Sequence, residues 1–166
     1  YQGTEEWALT LVDPDNRRAV DYARLGEGLR ALRAALGEPE SDRAALARSL
    51  LAAKEDGRVK LYLTSRALRC RRDHPGLFSV GDYLPLMPTG EHAAHCFAFA
   101  RRAGDAWAIA AVPRLLTRLV PAPPQAPLGP EVWGDTRIPL PEIPAMRWTN
   151  LFTGERLDPA MRNGVD

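Results

Sequence analysis

Hydrophobic residues in the first half of the chain recur at helical spacing. Leu25, Leu29, Leu32 and Leu36 follow one another at steps of four, three and four residues. Since an α-helix has about 3.6 residues per turn, this spacing places all four on one face. Gly37 follows directly and is a residue type that commonly ends helices. The pattern predicts an amphipathic helix that ends at Gly37.

Two more helices are predicted before Pro75. Ser41 and Asp42 provide N-cap side chains for the first of them, and Gly57 ends it. The second must end before Pro75, because proline disfavours helical backbone in the preceding residue. Their apolar positions are Leu46, Leu50 and Leu51 in the first, and Val59, Tyr62, Leu63, Ala67 and Leu68 in the second.

The second half of the chain changes to a period of two residues, which is typical of β-strands. Phe97 and Phe99 point to one face of a predicted strand, and Cys96, Ala98 and Ala100 point to the other. The strand candidates are residues 95–101 and 106–112, together with Tyr83–Leu86, Leu115–Val120, Glu131–Trp133, Thr136–Leu140 and Arg147–Phe152.

Turn signals separate these candidates at intervals of roughly 8–15 residues, a pattern typical of an antiparallel sandwich or meander. Proline supports this interpretation. Nine of the 15 prolines lie between Pro113 and Pro144. This density argues against helix in that region and favours edge strands joined by loops.

The predicted fold is therefore α+β, without an internal repeat. Residues 1–76 form a helical N-terminal part, and residues 77–166 form an antiparallel C-terminal β module. The three short helices have no evident core of their own, and the chain begins at Tyr1 rather than at methionine. Both observations suggest that the chain is a fragment and that upstream residues are missing.

Charge and composition argue against several classes of protein. The 22 lysines and arginines nearly balance the 21 aspartates and glutamates, so the net charge of +1 favours neither nucleic acid nor an anionic membrane as partner. No apolar run approaches the ~18 residues of a membrane span, and the N-terminus has no signal-peptide layout. Cys70 and Cys96 match no zinc spacing. We expect a cytoplasmic protein without metal or cofactor.

The most polar stretch is the first 22 residues, where carboxylates, amides, arginines and aromatics are concentrated. Within it, DPDNRR (residues 13–18) places two carboxylates, an amide and two guanidiniums around one proline. Such groups can form paired hydrogen bonds to the vicinal hydroxyls of a sugar. Alternatively, the arginines pair with the aspartates of the same loop and hold it rigid. The sequence leaves both interpretations open.

Acid–base and metal chemistry have weaker support. Glu5, Glu6 and Asp13 could include a general acid or base, but such pairs are defined by separation in space rather than in sequence. His92, His95 and Cys96 could form part of a metal site, but no further cysteine or nearby histidine completes a set of four ligands. No nucleophile triad, Walker loop or dinucleotide-binding glycine pattern is present.

A run of arginines and a set of tryptophans each allow two interpretations. The arginines could grip phosphate or nucleic acid, but cations are also favoured in the last turn of a helix. The tryptophans could stack on sugar rings, but a core position is the more common use. The arginines are Arg66, Arg69, Arg71 and Arg72, and the tryptophans are Trp107, Trp133 and Trp148.

Seven stretches of the sequence, in order, resemble the C-terminal portion of the maltooligosyltrehalose synthases, a branch of the α-amylase clan. Together they span essentially the whole chain. DPDNRR followed by VDY, and the arginine-rich third helix, are the most specific, whereas the opening is shared across the clan. The stretches are YQGTEEW, LVDPDNRRAVDY, KLYLTSRALRCRRDHPGLF, GDYLPL, AFAR, PLGPEVWGDT and NLFTGERL.

The resemblance implies that residues 1–76 are the end of a (β/α)8 catalytic barrel and that residues 77–166 are a C-terminal β-sandwich. It implies a whole enzyme, an isomerase of trehalose biosynthesis, that converts the reducing-end α-1,4 bond of a maltooligosaccharide into an α,α-1,1 bond by retaining intramolecular transglucosylation. The catalytic carboxylates of the family belong to earlier barrel strands, and none maps onto this sequence. The fragment alone is therefore expected to be inactive.

The resemblance also implies a set of substrate-binding residues at the mouth of the barrel, where ligands bind in this architecture. The implied partners are the maltooligosaccharide and the missing N-terminal barrel portion of the same protein. The alternative is a non-catalytic carbohydrate-binding or scaffolding β module. The implied substrate-binding residues are Tyr1, Gln2, Glu5, Asp13, Asn16, Arg17, Arg18 and Asp21.

Overall fold

A computed structural model describes residues 2–10, 13–37, 42–120, 126–141 and 147–157 of the chain. These residues divide into two compact units. The first contains the described residues up to Asp73 together with Thr149–Arg156, and the second contains those of His74–Trp148 together with Leu157. The predicted division into a barrel end and a β-sandwich at residues 76 and 77 stays a prediction.

Three helices form the first unit, as the hydrophobic period predicts. They are α1 (Tyr22–Gly37), α2 (Arg43–Ala52) and α3 (Arg58–Asp73). The Asp42 side chain accepts a hydrogen bond from the backbone N–H of Ala45 at 2.9 Å and so caps the first turn of α2. The other predicted cap residue, Ser41, lies outside the described residues. A 3-10 turn at Lys54–Asp56 leads to Gly57, whose φ of +83° allows the reversal into α3.

The helices share a small core, although the sequence offers no evident one. Leu32, Leu50, Leu61 and Tyr62 are buried together, one or two from each helix. Burying side chains of this size stabilises the fold by about 1.5–3 kcal/mol each. Five partly buried residues pack around them: Leu29, Leu36, Leu46, Val59 and Phe152. The last of these shows that Thr149–Arg156 forms part of the helical unit.

The second unit is built on a three-stranded antiparallel sheet in the order β1–β2–β3. The strands are β1 (Asp82–Leu86), β2 (Cys96–Ala103) and β3 (Ala106–Pro113). A two-residue loop at Gly104 and Asp105 joins β2 to β3, and Gly104 has a φ of +58°. A π-turn at Gly76–Val80 precedes β1, and a 3-10 turn at Ala93–His95 precedes β2.

The predicted alternation of β2 is confirmed. Ala98 and Ala100 are buried, whereas Phe97 on the opposite face is 50% exposed. Ala100 stands opposite Leu84 on one side and Ile109 on the other. The core of this unit consists of Leu86, Ala98 and Ala100, with Leu84, Cys96, Trp107, Ile109, Ile138 and Leu140 packed around it.

Three predicted strands are wrong. Leu115–Val120 is instead a 3-10 turn at Leu116–Arg118, preceded by Leu115 at a φ of +54°. Glu131–Trp133 belongs to a short helix, α4 (Pro130–Trp133), because a proline suits the first helical position. Thr136–Leu140 contributes a single bridge between Arg137 and Thr89. It cannot extend as a ladder because the prolines at 139 and 141 have no N–H.

The last predicted strand, Arg147–Phe152, is much shorter than expected. Only Trp148–Thr149 is extended and paired, as β4, with β5 at Arg156–Leu157. A turn lies between them, in which the Asn150 side chain accepts hydrogen bonds from the backbone N–H groups of Phe152 and Thr153. In the described ranges the sheets therefore have three and two strands, an α+β arrangement.

No helix within the described ranges is long and apolar enough to cross a membrane.

Candidate functional site

The polar N-terminal segment begins the candidate site, and most of its predicted residues are described. Gln2, Asp13, Arg17, Arg18 and Asp21 are exposed, and Glu5 is half-buried. Tyr1 and the side chain of Asn16 lie outside the described residues, but the Asn16 backbone forms part of a 3-10 turn at Asp15–Arg17.

The arginines of the DPDNRR loop pair with the aspartates of the same loop. Arg17 Nη2 donates to Asp13 Oδ2 at 2.9 Å. Arg18 Nε donates to the backbone carbonyl of Asp15 at 3.3 Å and lies 3.6 Å from its Oδ1. These side chains are more than half exposed, so each ion pair contributes about 0–1 kcal/mol. The second of the two sequence interpretations is thus the one observed, and its weak pairs can still exchange for a ligand.

Two other predicted site residues hold the start of α1. Asp21 Oδ1 accepts a hydrogen bond from the backbone N–H of Arg24 at 2.9 Å, which satisfies one of the free donors of the first turn. The Tyr22 hydroxyl donates to Gln2 Oε1 and ties the N-terminal segment to the helix. Both Asp21 and Gln2 therefore contact the start of α1.

Glu6 is the buried carboxylate of this region, with 5% of its surface exposed. Its Oε2 forms an ion pair with the Arg24 guanidinium, and its backbone carbonyl accepts a hydrogen bond from Lys60 Nζ at 3.1 Å. A buried carboxylate without a cation would be strongly unfavourable, so Arg24 stabilises the position of Glu6. The contacts join the N-terminal segment to α1 and α3, a structural function that the sequence did not reveal.

Glu5 faces a different part of the unit, a groove between α1 and α3 with a cavity of about 310 Å³. We call this the α1/α3 groove. Its wall contains leucines from both helices, and arginines lie beside them: Leu29, Leu36, Leu68, Arg33, Arg69 and Arg72. Among the described residues, no hydrogen bond or ion pair joins Glu5 to the DPDNRR loop.

Sequence reasoning did not predict the groove, because it treated the arginines of α3 separately from the residues of α1 that form the other side. Arg33 lies four residues after Leu29 and three before Leu36, so it belongs to the same helical face. Arg72 lies four residues after Leu68 and so belongs to one face with it, and Arg69 is the residue next to Leu68. Leucines with arginines three or four residues away, on both α1 and α3, were the signal that could have revealed it.

The tryptophans occupy structural positions rather than an open platform. Trp133 Nε1 donates to the backbone carbonyl of Pro127 at 2.8 Å, and the ring is half-buried. The Arg102 guanidinium lies over the Trp107 ring at 5.1 Å, a cation–π contact. Trp148 is half-buried in β4. Two of the three therefore have polar partners within the fold, which weakens the sugar-stacking interpretation.

His92 and His95 of the second unit also have local partners. The rings of His92 and His95 meet edge to face, 6.0 Å apart, and the backbone N–H of His92 donates to Thr136 Oγ1 at 3.0 Å. Cys70 and Cys96 are free thiols, and burial raises the pKa of Cys96. Across the parts of the chain that are described, no three metal-ligating side chains group together.

Comparison with known proteins gives one consistent answer. No protein-family model matches the chain. Two curated proteins of Mycobacterium tuberculosis, from strains CDC 1551 and H37Rv, carry the provisional name maltooligosyl trehalose synthase. Each is 34% identical to this chain over 154 residues, which is 93% of this chain and 15% of the relative. The chain matches a segment of maltooligosyltrehalose synthase.

A solved structure is similar to the chain as well. A mutant of maltooligosyltrehalose synthase from Arthrobacter ramosus is similar over 95% of this chain, with 37% identity and a TM-score of 0.65. The match covers 17% of that synthase chain. The present chain thus spans about one sixth of the synthases to which it is similar.

Proposed function

We propose that the chain is the C-terminal part of an isomerase of the α-amylase clan that converts the reducing-end α-1,4 bond of maltooligosaccharides into an α,α-1,1 bond. The observation that carries the proposal is the 34% identity to a synthase over 93% of this chain. The likeness of fold to a solved synthase, at 37% identity over 95% of the chain, supports it independently of the pattern of motifs.

In this proposal the helical unit is the end of a (β/α)8 barrel and the sheet belongs to a C-terminal β-sandwich. The order of elements is consistent with this, since the helices come first and the antiparallel strands follow. The two free thiols are consistent with a reducing compartment, and we place the enzyme in the cytoplasm. The catalytic carboxylates are assigned to the part of the enzyme outside these residues.

The proposed contribution of this chain is to hold the sugar at the edge of the active site. Intramolecular transfer requires that the released glucose stays bound and turns while water is kept from the glycosyl intermediate. Arg17 and Arg18 are exposed, and their partners Asp13 and Asp15 hold them only weakly. A sugar with vicinal hydroxyls can replace such a pair by accepting from the guanidinium and donating to the carboxylate.

Conversion of maltopentaose tests the proposal. The complete gene product should consume its reducing ends and form a non-reducing product of the same mass, whereas the 166-residue chain should leave maltopentaose unchanged. Failure of the complete gene product to form the non-reducing product would contradict the activity. Turnover by the 166-residue chain would contradict the placement of the catalytic carboxylates elsewhere.

A further inference from the structure

The α1/α3 groove exposes an apolar surface that the described residues leave open. Leu68 is 61% exposed and lines the groove together with the buried core residues Leu32 and Leu61. The cavity of about 310 Å³ is large enough for several side chains of a binding partner. An open apolar surface of this kind, bordered by charged residues, is typical of an interaction site.

The charges around the groove specify the chemistry of the occupant. Four arginines and one glutamate line it, so its charge is strongly positive. Two of the arginines have partners within the fold: Arg66 donates to the backbone carbonyl of Leu151, and Arg72 donates to Asp73. Within the described ranges Arg33 and Arg69 form no hydrogen bond or ion pair, and they stand on opposite helices. They are placed to pair with carboxylates on either side of an apolar segment.

Glu5 also lines the groove, but its Oε2 is shielded from solvent and so cannot accept a hydrogen bond from a docked partner. The groove thus offers leucines for apolar side chains and arginines for carboxylates.

We propose that the α1/α3 groove is the docking site for an acidic amphipathic helix carried by the part of the synthase that these 166 residues do not include. A helix in a groove between two helices anchors through apolar residues at positions i, i+3 and i+4, and its flanking carboxylates pair with Arg33 and Arg69. The match to only 15–17% of the synthases leaves most of such a protein to supply this helix. The inference therefore rests on the proposed function.

The reactivity of an introduced thiol tests the docking. In a background with Cys70→Ser and Cys96→Ser, Leu68→Cys places a thiol in the groove, and Arg71→Cys places one at an exposed position of α3 outside it. Each variant is made in the 166-residue chain and in the complete synthase, and maleimide labelling is followed by mass spectrometry. The Leu68→Cys thiol should react at least about tenfold more slowly in the complete synthase, whereas the Arg71→Cys thiol should react equally fast in both.

Charge reversal tests the chemistry of the occupant. Adding Arg33→Glu and Arg69→Glu to the Leu68→Cys variant of the complete synthase should restore fast labelling. Equal labelling of the Leu68→Cys thiol in the short chain and the complete synthase would overturn the docking. Slow labelling that persists after charge reversal would overturn the acidic occupant. Conversion of maltopentaose, assayed on the same Leu68→Cys preparation before labelling, separates these outcomes from a failure of the proposed activity.

Discussion

The Tyr62 hydroxyl donates a hydrogen bond to the backbone carbonyl of Phe152, 2.5 Å away and 90 residues later in the chain. One turn further along α3, Arg66 donates from Nε and Nη2 to the carbonyl of Leu151, at 3.3 and 3.1 Å. The turn between β4 and β5 is thereby held on the helical unit by two adjacent backbone acceptors. Sequence periodicity gives no sign of this connection, because its partners are remote along the chain.

Removal of the Arg66 side chain should loosen this turn. We expect Arg66→Ala to lower the free energy of unfolding by about 1.5–3 kcal/mol, the value of hydrogen bonds from a charged donor. Hydrogen exchange should accelerate in Thr149–Arg156, the segment that contains both acceptors. Arg69→Ala is the control, because Arg69 is exposed and forms no hydrogen bond or ion pair within the described residues. Equal exchange in the two variants would show that Arg66 does not hold the turn.

Tyr62 should make the fold sensitive to alkaline pH. Burial raises the pKa of its hydroxyl above the ordinary value of 10.0, against the opposing charges of Arg66 and Arg43. The folded state therefore favours the protonated form. Its contribution to stability is complete below pH 10.0 and is lost as the pH rises through the folded pKa.

Urea unfolding above and below pH 10.0 checks this dependence on Tyr62. At neutral pH, Tyr62→Phe should cost about 0.5–1.5 kcal/mol through the lost hydrogen bond to Phe152. At alkaline pH the variant should lose less stability than the unmodified chain does. Tyr83→Phe is the control, since Tyr83 is 50% exposed, and it should keep the full alkaline loss. An unchanged alkaline loss in Tyr62→Phe would assign that loss to other groups.

Local regularities of the sequence predicted much of the fold. Leu29, Leu32 and Leu36 define one face of α1 by spacing alone, and that face packs on the helical core. Asp42 caps α2 through a hydrogen bond that spans only three residues. The alternation around Ala98 and Ala100 sets which face of β2 is buried. In each case the sequence pattern that predicts the structure lies within one element.

Errors arose where the apolar run was too short to show a period. Val132 is buried, and its sequence neighbours are Glu131 and Trp133. One apolar residue between two such neighbours fits a strand and a single helical turn equally well. Pro130 was the better signal, because proline is favoured at the first position of a helix.

The candidate site shows the same limit of local sequence patterns. The Asp13–Arg17 pair spans four residues and was foreseen as an alternative, whereas the pairing of Glu6 with Arg24 depends on how the N-terminal segment meets α1.

The approach of Gly57 to the N-terminal segment should make this position intolerant of any side chain. A Cβ at Gly57 would lie 2.9 Å from the Glu6 Cβ and 3.1 Å from the Trp7 backbone nitrogen, and the φ of +83° disfavours alanine as well. We expect Gly57→Ala to destabilise the chain by about 1–3 kcal/mol. Gly37→Ala is the matched control, because among the described residues no atom beyond its chain neighbours and its own helix backbone lies within 4 Å of the added methyl group. Its effect should stay within about 0.5 kcal/mol. Thermal unfolding of the two variants measures the difference, and equal midpoints would contradict the close packing at Glu6.

The exposed pair of Asp13 and Arg17 provides the test of sugar contact. In the complete gene product, if it has the proposed function, Arg17→Ala removes a guanidinium that can donate to sugar hydroxyls, and a lost hydrogen bond from a charged donor is worth about 1.5–3 kcal/mol. The value of kcat/KM for maltopentaose should therefore fall by about 10- to 150-fold. The thermal midpoint should hardly change, because the Arg17 side chain is 73% exposed and its ion pair is weak. Arg48→Ala is the control. The Arg48 side chain lies on α2, is 71% exposed, and its Nη2 is 3.8 Å from Oδ2 of Asp42. If both variants keep the activity of the unmodified enzyme, the Asp13–Arg17 pair serves only to hold its own loop.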